Sequence, residues 1–397
     1  MASEPRCHGV CDPAFERVRE AFRANFEDLD EVGAGVAVHL GGRQVVDLWG
    51  GFMDHARKRD WQQDTLVNTY SVGKGIAAIL ILALMARRQL DADAPVASAW
   101  PDFAAGGKGA ITLRVLMAHQ AGLPAFREAL PNEALPNEAL PNEALADWPR
   151  LTASLAAQEP WWSPGTAHGY HVNTYGFLVG EMARRAAGAV SFSDALREVV
   201  TGPRGAGFHV GLKPHENGRC AEVVGGGATV YDPELAQRMV VPPSSDAVAD
   251  RMKLAAYFNP PAVAGLGVVN TDWWRSLQVP ATNGHATARG VARIYAASLD
   301  DTFVPRSLLE EAILPVSDGL DLILDRPTRF GLGFQLAQES RPIGQNPRAF
   351  GHFGYGGSLG FADPDAGLAF GYVMNRPGER WQSPRANALI KAVYESL

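Results

Sequence analysis

The sequence predicts an α/β (α+β) fold, in which an antiparallel sheet is built from both ends of the chain and a mostly helical segment lies between them. Short β-rich runs punctuated by glycine occupy residues 33–54 and recur from residue 305 onward. The middle third has helical periodicity and is rich in Ala, Arg and Glu. A helical pattern also stands at each end of the chain, and these two helices are expected to flank the sheet and bury one of its faces.

An amphipathic helix and a hairpin are the first elements of the chain. The apolar spacing from Pro13 to Asp28 predicts the helix. In "GAGVAVHLGGRQVVDLWGG" two β-rich runs flank Gly41 and Gly42, a pattern typical of a two-residue hairpin turn. The apolar run from Ile76 to Ala86 is too short to span a bilayer, so it predicts a central buried helix.

Capping residues mark two further helices. Thr112 stands before "LRVLM" and predicts the start of a short helix, which Gly122 and Pro124 end. Near the C-terminus Ser383 is a predicted cap, and Pro384 takes the first position of the last helix.

The pattern divides the chain into two bodies and a repeat. Residues 1–70 and 300–397 are expected to form the sheet domain and residues 71–299 a mostly helical domain, with a ligand-binding cleft between them. Residues 128–145, "EALPNEALPNEALPNEAL", form a tandem repeat with a five-residue period. Its recurring prolines exclude a continuous helix, so we expect a surface loop lengthened by duplication. A proline-spaced recognition segment is the alternative.

Composition and charge exclude several classes of protein. The chain has 397 residues, of which 46% are hydrophobic and 20% charged, enough for a large core without cross-links. A formal net charge of −7 argues against nucleic acid or an anionic membrane as a partner. The N-terminus lacks a basic segment followed by an apolar one, which predicts a cytoplasmic protein.

The cysteines predict neither disulfides nor a metal site. Cys7, Cys11 and Cys220 are an odd number, which does not suit a disulfide framework. Cys7, His8 and Cys11 could form half of a metal site, but no second half follows at a suitable spacing. We therefore expect no metal.

A serine and a lysine stand one helical turn apart in "YSVGKGIAAILILALMA". Residues i and i+3 share a helix face, so Ser71 and Lys74 can touch. Burial favours the neutral amine of a lysine, and a serine beside such an amine is an activated nucleophile. Alternatively, Ser71 caps the helix and Lys74 reaches solvent, which is the commoner meaning of an isolated S-x-x-K spacing.

Three further segments accompany "YSVGKG" in a fixed order. They are "ITLRVLMAHQAGLP" at 111–124, "PGTAHGYHVNTYGFLVGE" at 164–181 and "GHFGYGGS" at 351–358. In this order the segments resemble the serine hydrolases of the β-lactamase and penicillin-binding-protein fold, closest to class C β-lactamases and family VIII carboxylesterases. The resemblance runs from about residue 30 to the C-terminus, and it implies a β-lactamase-like fold with the active site in the cleft.

The resemblance also implies a catalytic group. It places the nucleophile on Ser71, the lysine on Lys74 and the tyrosine on Tyr170. Lys74 and Tyr170 form one coupled proton system, and either can be the general base. The oxyanion is expected between the backbone N–H groups of Ser71, at a helix N-terminus, and Tyr355.

Two departures from the family pattern favour an esterase over a β-lactamase. The K-T-G motif falls on His352, Phe353 and Gly354, so a histidine replaces the lysine that a β-lactam carboxylate would meet. Val172 stands two residues after Tyr170, where class C enzymes have an asparagine that would hold an acylamino group. We expect His352, Phe353 and Gly354 to line the substrate site.

Aromatic residues could complete an apolar acyl pocket. Trp161 and Trp162 precede the Tyr170 turn and are the better candidates, with Phe126 as a further one. His119 is expected to brace the loop below the site. His168 and His171 flank Tyr170. They do not predict a Ser–His–Asp triad, because no acidic partner stands at a recognisable position.

The prediction is therefore a serine carboxylesterase that cleaves short-chain or aryl esters through an acyl-serine intermediate. The resemblance implies no cofactor and a small-molecule ester as the partner, and it leaves the oligomeric state open. The alternatives are an acyltransferase or a weak β-lactamase or D-peptidase on the same site, or a non-catalytic binding module. The presence of Ser71, Lys74 and Tyr170 together favours an enzyme.

Overall fold

The structure is a computed structural model. It describes residues 7–127, 140–225, 247–378 and 382–397. Within these residues no helix combines the length and the apolar character needed to cross a membrane.

The helices of ten or more residues surround and cross the core. They are α1 (Glu16–Asp28), α2 (Val72–Ala86), α3 (Trp148–Ala157), α4 (Thr174–Ala186), α5 (Ala247–Phe258), α6 (Ala288–Ser298) and α7 (Pro384–Tyr394). Shorter helices span Leu113–Met117, Phe192–Leu196, Gly202–Arg204, Asp272–Ser276 and Arg306–Ala312.

The strands form two antiparallel sheets. They are β1 (Cys7–Cys11), β2 (Gly33–Leu40), β3 (Arg43–Gly51), β4 (Val67–Asn68), β5 (Phe208–His209), β6 (His285–Ala286), β7 (Ser317–Asp321), β8 (Arg326–Phe330), β9 (Gln335–Leu336), β10 (Phe350–Phe353), β11 (Leu359–Asp363) and β12 (Leu368–Met374). Among the described residues, nine strands make the main sheet in the order β1-β3-β2-β12-β11-β10-β9-β8-β7, and β4-β6-β5 make a small second sheet.

The main sheet joins the two ends of the chain, as the sequence predicts. β2 pairs with β12 over seven residues, from Leu40 opposite Leu368 to Ala34 opposite Met374. Gly41 and Gly42 form the turn between β2 and β3, both with positive φ. This left-handed geometry suits glycine and matches the twist of a hairpin. The predicted mixture of helices with an antiparallel sheet built from both ends of the chain is confirmed.

Helices cover both faces of the main sheet. On one face α1 and α7 pack together, with Val18 and Phe22 in the same core as Leu389 and Val393. On the other face α6 packs on β2 and β12. Helix α6 belongs to the segment 71–299 that is predicted to form the helical domain, yet it packs on the main sheet. The predicted domain boundary at residue 299 stays a prediction.

The predicted caps are present. The Thr112 hydroxyl accepts a hydrogen bond from the Val115 N–H, and the Ser383 hydroxyl accepts one from the Arg385 N–H at 3.3 Å. Such caps satisfy N–H groups that the first turn of a helix leaves without a partner. Pro384 follows Ser383 as the first residue of α7.

The described end of the tandem repeat differs from the expected surface loop. Residues 128–139 lie outside the described residues. Leu140, Ala144 and Leu145 are buried in the main core, and Asn142–Ala146 form a 3₁₀ turn. The leucines of the final unit pack inward because their apolar side chains gain more by leaving water than a surface position allows.

Candidate active site

Ser71 stands at the start of the buried helix α2. The residues before it are fixed by the small sheet, since the Thr69 N–H and hydroxyl both donate to the Gly284 carbonyl, at 2.7 and 3.0 Å. Tyr70 then adopts a φ of +49°, a left-handed conformation that is unusual for a residue other than glycine. This turn leaves Ser71 half-buried at the N-terminus of α2.

The structure excludes the capping alternative for Ser71 and Lys74. The Ser71 side chain makes no capping hydrogen bond, and Lys74 is fully buried rather than extended into solvent. Lys74 Nζ lies 3.0 Å from Ser71 Oγ and 3.0 Å from the Ala281 carbonyl oxygen. The lysine therefore faces the serine and a backbone acceptor.

A close approach of two segments brings the Ala281 carbonyl to Lys74. A Cβ at Gly73 would lie 2.1 Å from the Pro280 carbonyl oxygen, so only glycine allows this segment to lie against α2. The sequence analysis assigned no chemistry to this segment. A backbone carbonyl carries no residue signature, although the glycines of "SVGKG" do indicate a crowded helix start.

Tyr170 completes a group of three side chains. Its phenol lies close enough to the Ser71 side chain for the serine to lower the pKa of the phenol. Its ring lies beside Lys74, with Nζ 4.7 Å from the ring centroid. The residues that the motifs predict to act together, Ser71, Lys74 and Tyr170, are therefore in mutual contact.

His119 and Asp321 hold the loop that carries Tyr170. The Gly169 N–H donates to the His119 carbonyl and the His171 N–H donates to His119 Nδ1, both at 3.1 Å. His119 thus braces this loop, as the sequence analysis expected. On the other side the Tyr170 N–H donates to the Asp321 carboxylate at 3.0 Å.

His352 belongs to strand β10, and its ring stacks on the Tyr170 ring with centroids 5.9 Å apart. Its Nδ1 is 2.8 Å from the Phe353 carbonyl oxygen, and its Nε2 is 3.4 Å from the Tyr170 hydroxyl. A carbonyl only accepts, so Nδ1 carries the proton of the neutral ring and the Nε2 lone pair faces the phenol. His352 thus lies beside the group as a neutral hydrogen-bond acceptor and does not supply a positive charge.

Burial favours the uncharged form of each titratable member. It lowers the pKa of Lys74 well below its usual value. It raises the pKa of Tyr170 well above the usual value, against the opposing effect of the Ser71 side chain. Burial and the neighbouring Lys74 lower the pKa of His352 to about 3. These shifts favour the free amine, the phenol and the neutral imidazole over their charged forms.

The end of β10 lies directly against the Ser71 turn. A Cβ at Gly354 would be 2.2 Å from the Thr69 carbonyl oxygen, so only glycine fits there. The rings of Tyr70 and Tyr355 meet edge to face, with centroids 5.3 Å apart. These contacts bring the turn that contains the Ser71 N–H close to the turn that contains the Tyr355 N–H.

The predicted lining residues occupy different surroundings. Trp161 and Trp162 are half-buried and pack against the apolar cluster that contains Tyr170. Phe126 is wholly buried and packs on Phe177, with ring centroids 5.9 Å apart. The lining role predicted for Phe126 stays a prediction.

A cavity of about 580 Å³ has Phe330 in its wall, and Ser71, Lys74 and Tyr170 are not among its lining residues. Its lining also includes Phe353, Tyr257 and Arg341, and the predicted role of Phe353 in the substrate site stays a prediction. The Phe330 ring lies parallel to the Tyr170 ring, 5.9 Å away. Sequence reasoning missed Phe330 because "RPTRF" carries no motif and only the tertiary fold brings it to Tyr170.

The remaining histidines of the Tyr170 segment serve the backbone and the neighbouring hairpin. His171 Nδ1 donates to the Gly169 carbonyl at 2.7 Å, and its Nε2 accepts from the Leu123 N–H. His168 Nε2 lies 2.8 Å from the Thr328 hydroxyl. Neither contacts Ser71 in this arrangement. Across the part of the chain that the structure describes, no three His, Cys, Asp or Glu side chains are grouped to hold a metal ion.

Comparisons with known proteins show the family of this chain. A family profile described as "Beta-lactamase" matches residues 19–395. This chain belongs to the beta-lactamase family. Within the family it is 33% identical to the esterase/beta-lactamase LipL of Mycobacterium tuberculosis over 380 residues, 94% of this chain and 83% of that protein.

Solved members of the beta-lactamase family share the whole fold. A family VIII carboxylesterase is 36% identical, with a TM-score of 0.86 over 99% of this chain and 100% of its own. A penicillin-binding protein homolog from Caulobacter crescentus is also 36% identical, with a TM-score of 0.83 and the same coverage. The predicted resemblance is confirmed, and the chain is a serine hydrolase of the beta-lactamase fold.

Proposed function

We propose that this protein is a serine carboxylesterase that hydrolyses short-chain or aryl esters through an acyl-Ser71 intermediate. The observation that carries the proposal is the contact between Ser71 Oγ and the buried amine of Lys74 at 3.0 Å. The names of its relatives support it, since one is an esterase/beta-lactamase and another a family VIII carboxylesterase.

Acylation begins with transfer of the Ser71 proton to Lys74. A neutral amine has two protons and one lone pair; one N–H donates to the Ala281 carbonyl, and the lone pair accepts from Ser71. Ser71 Oγ then bonds to the ester carbonyl carbon. The Ser71 and Tyr355 N–H groups stabilise the oxyanion, and removing one such donor typically costs about 100-fold or more in rate.

Tyr170 delivers the proton to the leaving group. Its phenol stays protonated because burial raises its pKa, so it can donate to the departing alkoxide oxygen and recover a proton from Lys74. The C–O bond to the alcohol breaks, the alcohol leaves with the Tyr170 proton, and a proton from Lys74 replaces it on the phenol. Deacylation repeats the sequence with water in place of Ser71 and releases the carboxylic acid.

The uncharged site favours simple esters over β-lactams. His352 stands where β-lactamases have a lysine, and its pKa of about 3 keeps the ring neutral at physiological pH. A β-lactam carboxylate would therefore meet no positive charge at this position, whereas an aryl or short acyl group needs none.

The first experiment is intact-protein mass spectrometry after brief exposure to a p-nitrophenyl acyl ester and, separately, to a β-lactam. We expect a transient acyl mass on Ser71 from the ester and little adduct from the β-lactam. Ser71→Ala should remove the adduct and lower ester turnover by at least about 1,000-fold. The exposed Ser307→Ala is the matched control and should behave as the wild type. Retained turnover in Ser71→Ala would refute the nucleophile assignment.

A further inference from the structure

A buried carboxylate lies behind the candidate tyrosine. Asp321 ends strand β7 and has no exposed surface. Both of its oxygens accept from the Tyr170 backbone N–H, at 3.0 and 3.1 Å, across a separation of 151 residues in sequence. No motif of the sequence analysis includes Asp321.

Other donors complete the surroundings of Asp321. The Ile323 and Leu324 N–H groups donate to Oδ1 at 2.9 and 3.0 Å, and the Thr328 hydroxyl donates to Oδ2 at 3.0 Å. Burying a carboxylate is costly unless such donors replace water. Asp318, on the same strand, is an ordinary surface carboxylate: it is exposed to solvent and pairs with Arg329 at 2.8 Å.

The contacts of Asp321 extend along the Tyr170 loop. The Leu322 N–H donates to the His168 carbonyl at 3.0 Å, so residues 168–170 run beside residues 321–322. Thr328 uses its single proton on Asp321 and therefore accepts from His168 Nε2 at 2.8 Å. The loop is held by Asp321 on this side and by His119 on the other.

The negative charge of Asp321 also bears on the phenol. Asp321 is among the groups that raise the pKa of Tyr170, together with burial and the nearby Tyr257. A carboxylate behind the loop therefore helps to keep Tyr170 in the protonated form that protonates the leaving group. The backbone contact of Asp321 holds Tyr170 in position, and its charge favours the protonated phenol, so both support the proposed role of Tyr170.

We infer that Asp321 is the positioning residue of Tyr170, holding the Tyr170 backbone so that the phenol meets Ser71. This inference rests on the proposed function, because positioning matters only if Tyr170 and Ser71 react together. Asp321 touches neither Ser71 nor Lys74 in the contacts described, so it acts through Tyr170. A displacement of about 1 Å in a reacting group can cost on the order of 100-fold in rate.

The test measures how fast, and how completely, Ser71 reacts. A fluorophosphonate phosphonylates an activated serine: the Ser71 oxygen bonds to phosphorus, fluoride leaves, and the serine proton passes to Lys74. Intact mass gives the labelled fraction, and its time course gives the rate constant. We expect Asp321→Asn to reach the wild-type fraction about 10- to 100-fold more slowly. With ester substrate, kcat should fall by a similar factor while KM stays within about two-fold.

Asp318→Asn is the matched control, since it removes an exposed carboxylate from the same strand and should leave the labelling rate unchanged. An unchanged rate in Asp321→Asn overturns the inference. A smaller labelled fraction that reacts at the wild-type rate also overturns the inference, because it would mean that Asp321 only helps the protein to fold. If the wild type is not labelled at Ser71, the proposed function fails instead.

A second variant decides the case in which Asp321→Asn does not fold. Thr328→Val removes one donor to Asp321 and leaves the Tyr170 N–H contact in place. We expect full labelling at a rate about 3-fold lower, as suits the loss of one hydrogen bond to a charged group. Full labelling at the wild-type rate would overturn the inference.

Discussion

At the scale of single residues, the burial of Lys74 favours the neutral amine that the proposed mechanism needs, but it lowers the stability of the fold. It is fully buried, with a backbone carbonyl and the Ser71 hydroxyl as its hydrogen-bond partners. Burial lowers the pKa of Lys74, so between the folded pKa and the usual 10.5 the unfolded chain binds one proton more than the folded chain. Stability therefore rises with pH across this window, by up to about 1.4 kcal/mol per pH unit. As pH falls from 10.5 toward the folded pKa of Lys74, this gain in stability is lost, because the unfolded chain binds a proton that the folded chain does not.

Lys74→Met should therefore raise stability while abolishing acylation. The methionine fills similar space without a proton to lose, so its advantage should be largest at the low end of the window and shrink toward pH 10.5. Urea unfolding of both proteins from pH 7 to 9 measures this difference, and other titrating groups cancel in the comparison. The exposed Lys58→Met is the control. Parallel pH dependences for the wild type and Lys74→Met would contradict a neutral Lys74 in the folded state.

At the scale of elements, the candidate oxyanion site depends on how closely β10 meets the start of α2. Gly354→Ala would place a Cβ 2.2 Å from the Thr69 carbonyl oxygen, and neither backbone can yield without moving the Ser71 or Tyr355 N–H. We expect kcat to fall by about 100-fold or more, as for loss of one oxyanion donor. Steady-state kinetics with a p-nitrophenyl ester measures the loss. Gly218→Ala is the control, because its added Cβ would meet nothing within 4 Å. Nearly normal kcat in Gly354→Ala would show that this contact does not shape the site.

Elements set by local chemistry could be predicted from the sequence, and those set by distant contacts could not. Gly41 with Gly42 predicted the β2–β3 hairpin, because positive φ is a local requirement. The motif spacing predicted that Ser71 and Lys74 would touch. Asp321 was missed because its contact with Tyr170 is tertiary, and no local pattern distinguishes it from an exposed aspartate. The same reason accounts for Leu140, whose burial depends on residues far away in the chain.

At the scale of the whole molecule, one buried ion pair joins the two ends of the chain. Glu31 lies between α1 and β2, and its carboxylate accepts from Arg385 Nη1 at 2.7 Å and from the Tyr372 hydroxyl. Arg385, in the first turn of α7, also donates to the Arg376 carbonyl at 2.8 Å. The side chains of Glu31 and Arg385 are almost wholly inaccessible to water. The pair therefore ties an N-terminal segment, β12 and the last helix together.

Removing both partners of this pair should destabilise the fold by less than the two single losses added together. Glu31→Leu leaves the Arg385 guanidinium buried without its carboxylate, a change that typically costs about 3–5 kcal/mol, and Arg385→Leu leaves Glu31 in the same condition. The double variant buries no unpaired charge, so its loss should be smaller than the sum of the single losses by about 1–3 kcal/mol. Urea unfolding of the four proteins gives this coupling energy. Lys391→Ala, at an exposed pair with Glu395 on α7, should change stability by less than about 1 kcal/mol. Additive losses would mean that the two ends of the chain are held by apolar packing alone, because an ion pair that contributes to the fold must appear as coupling between its partners.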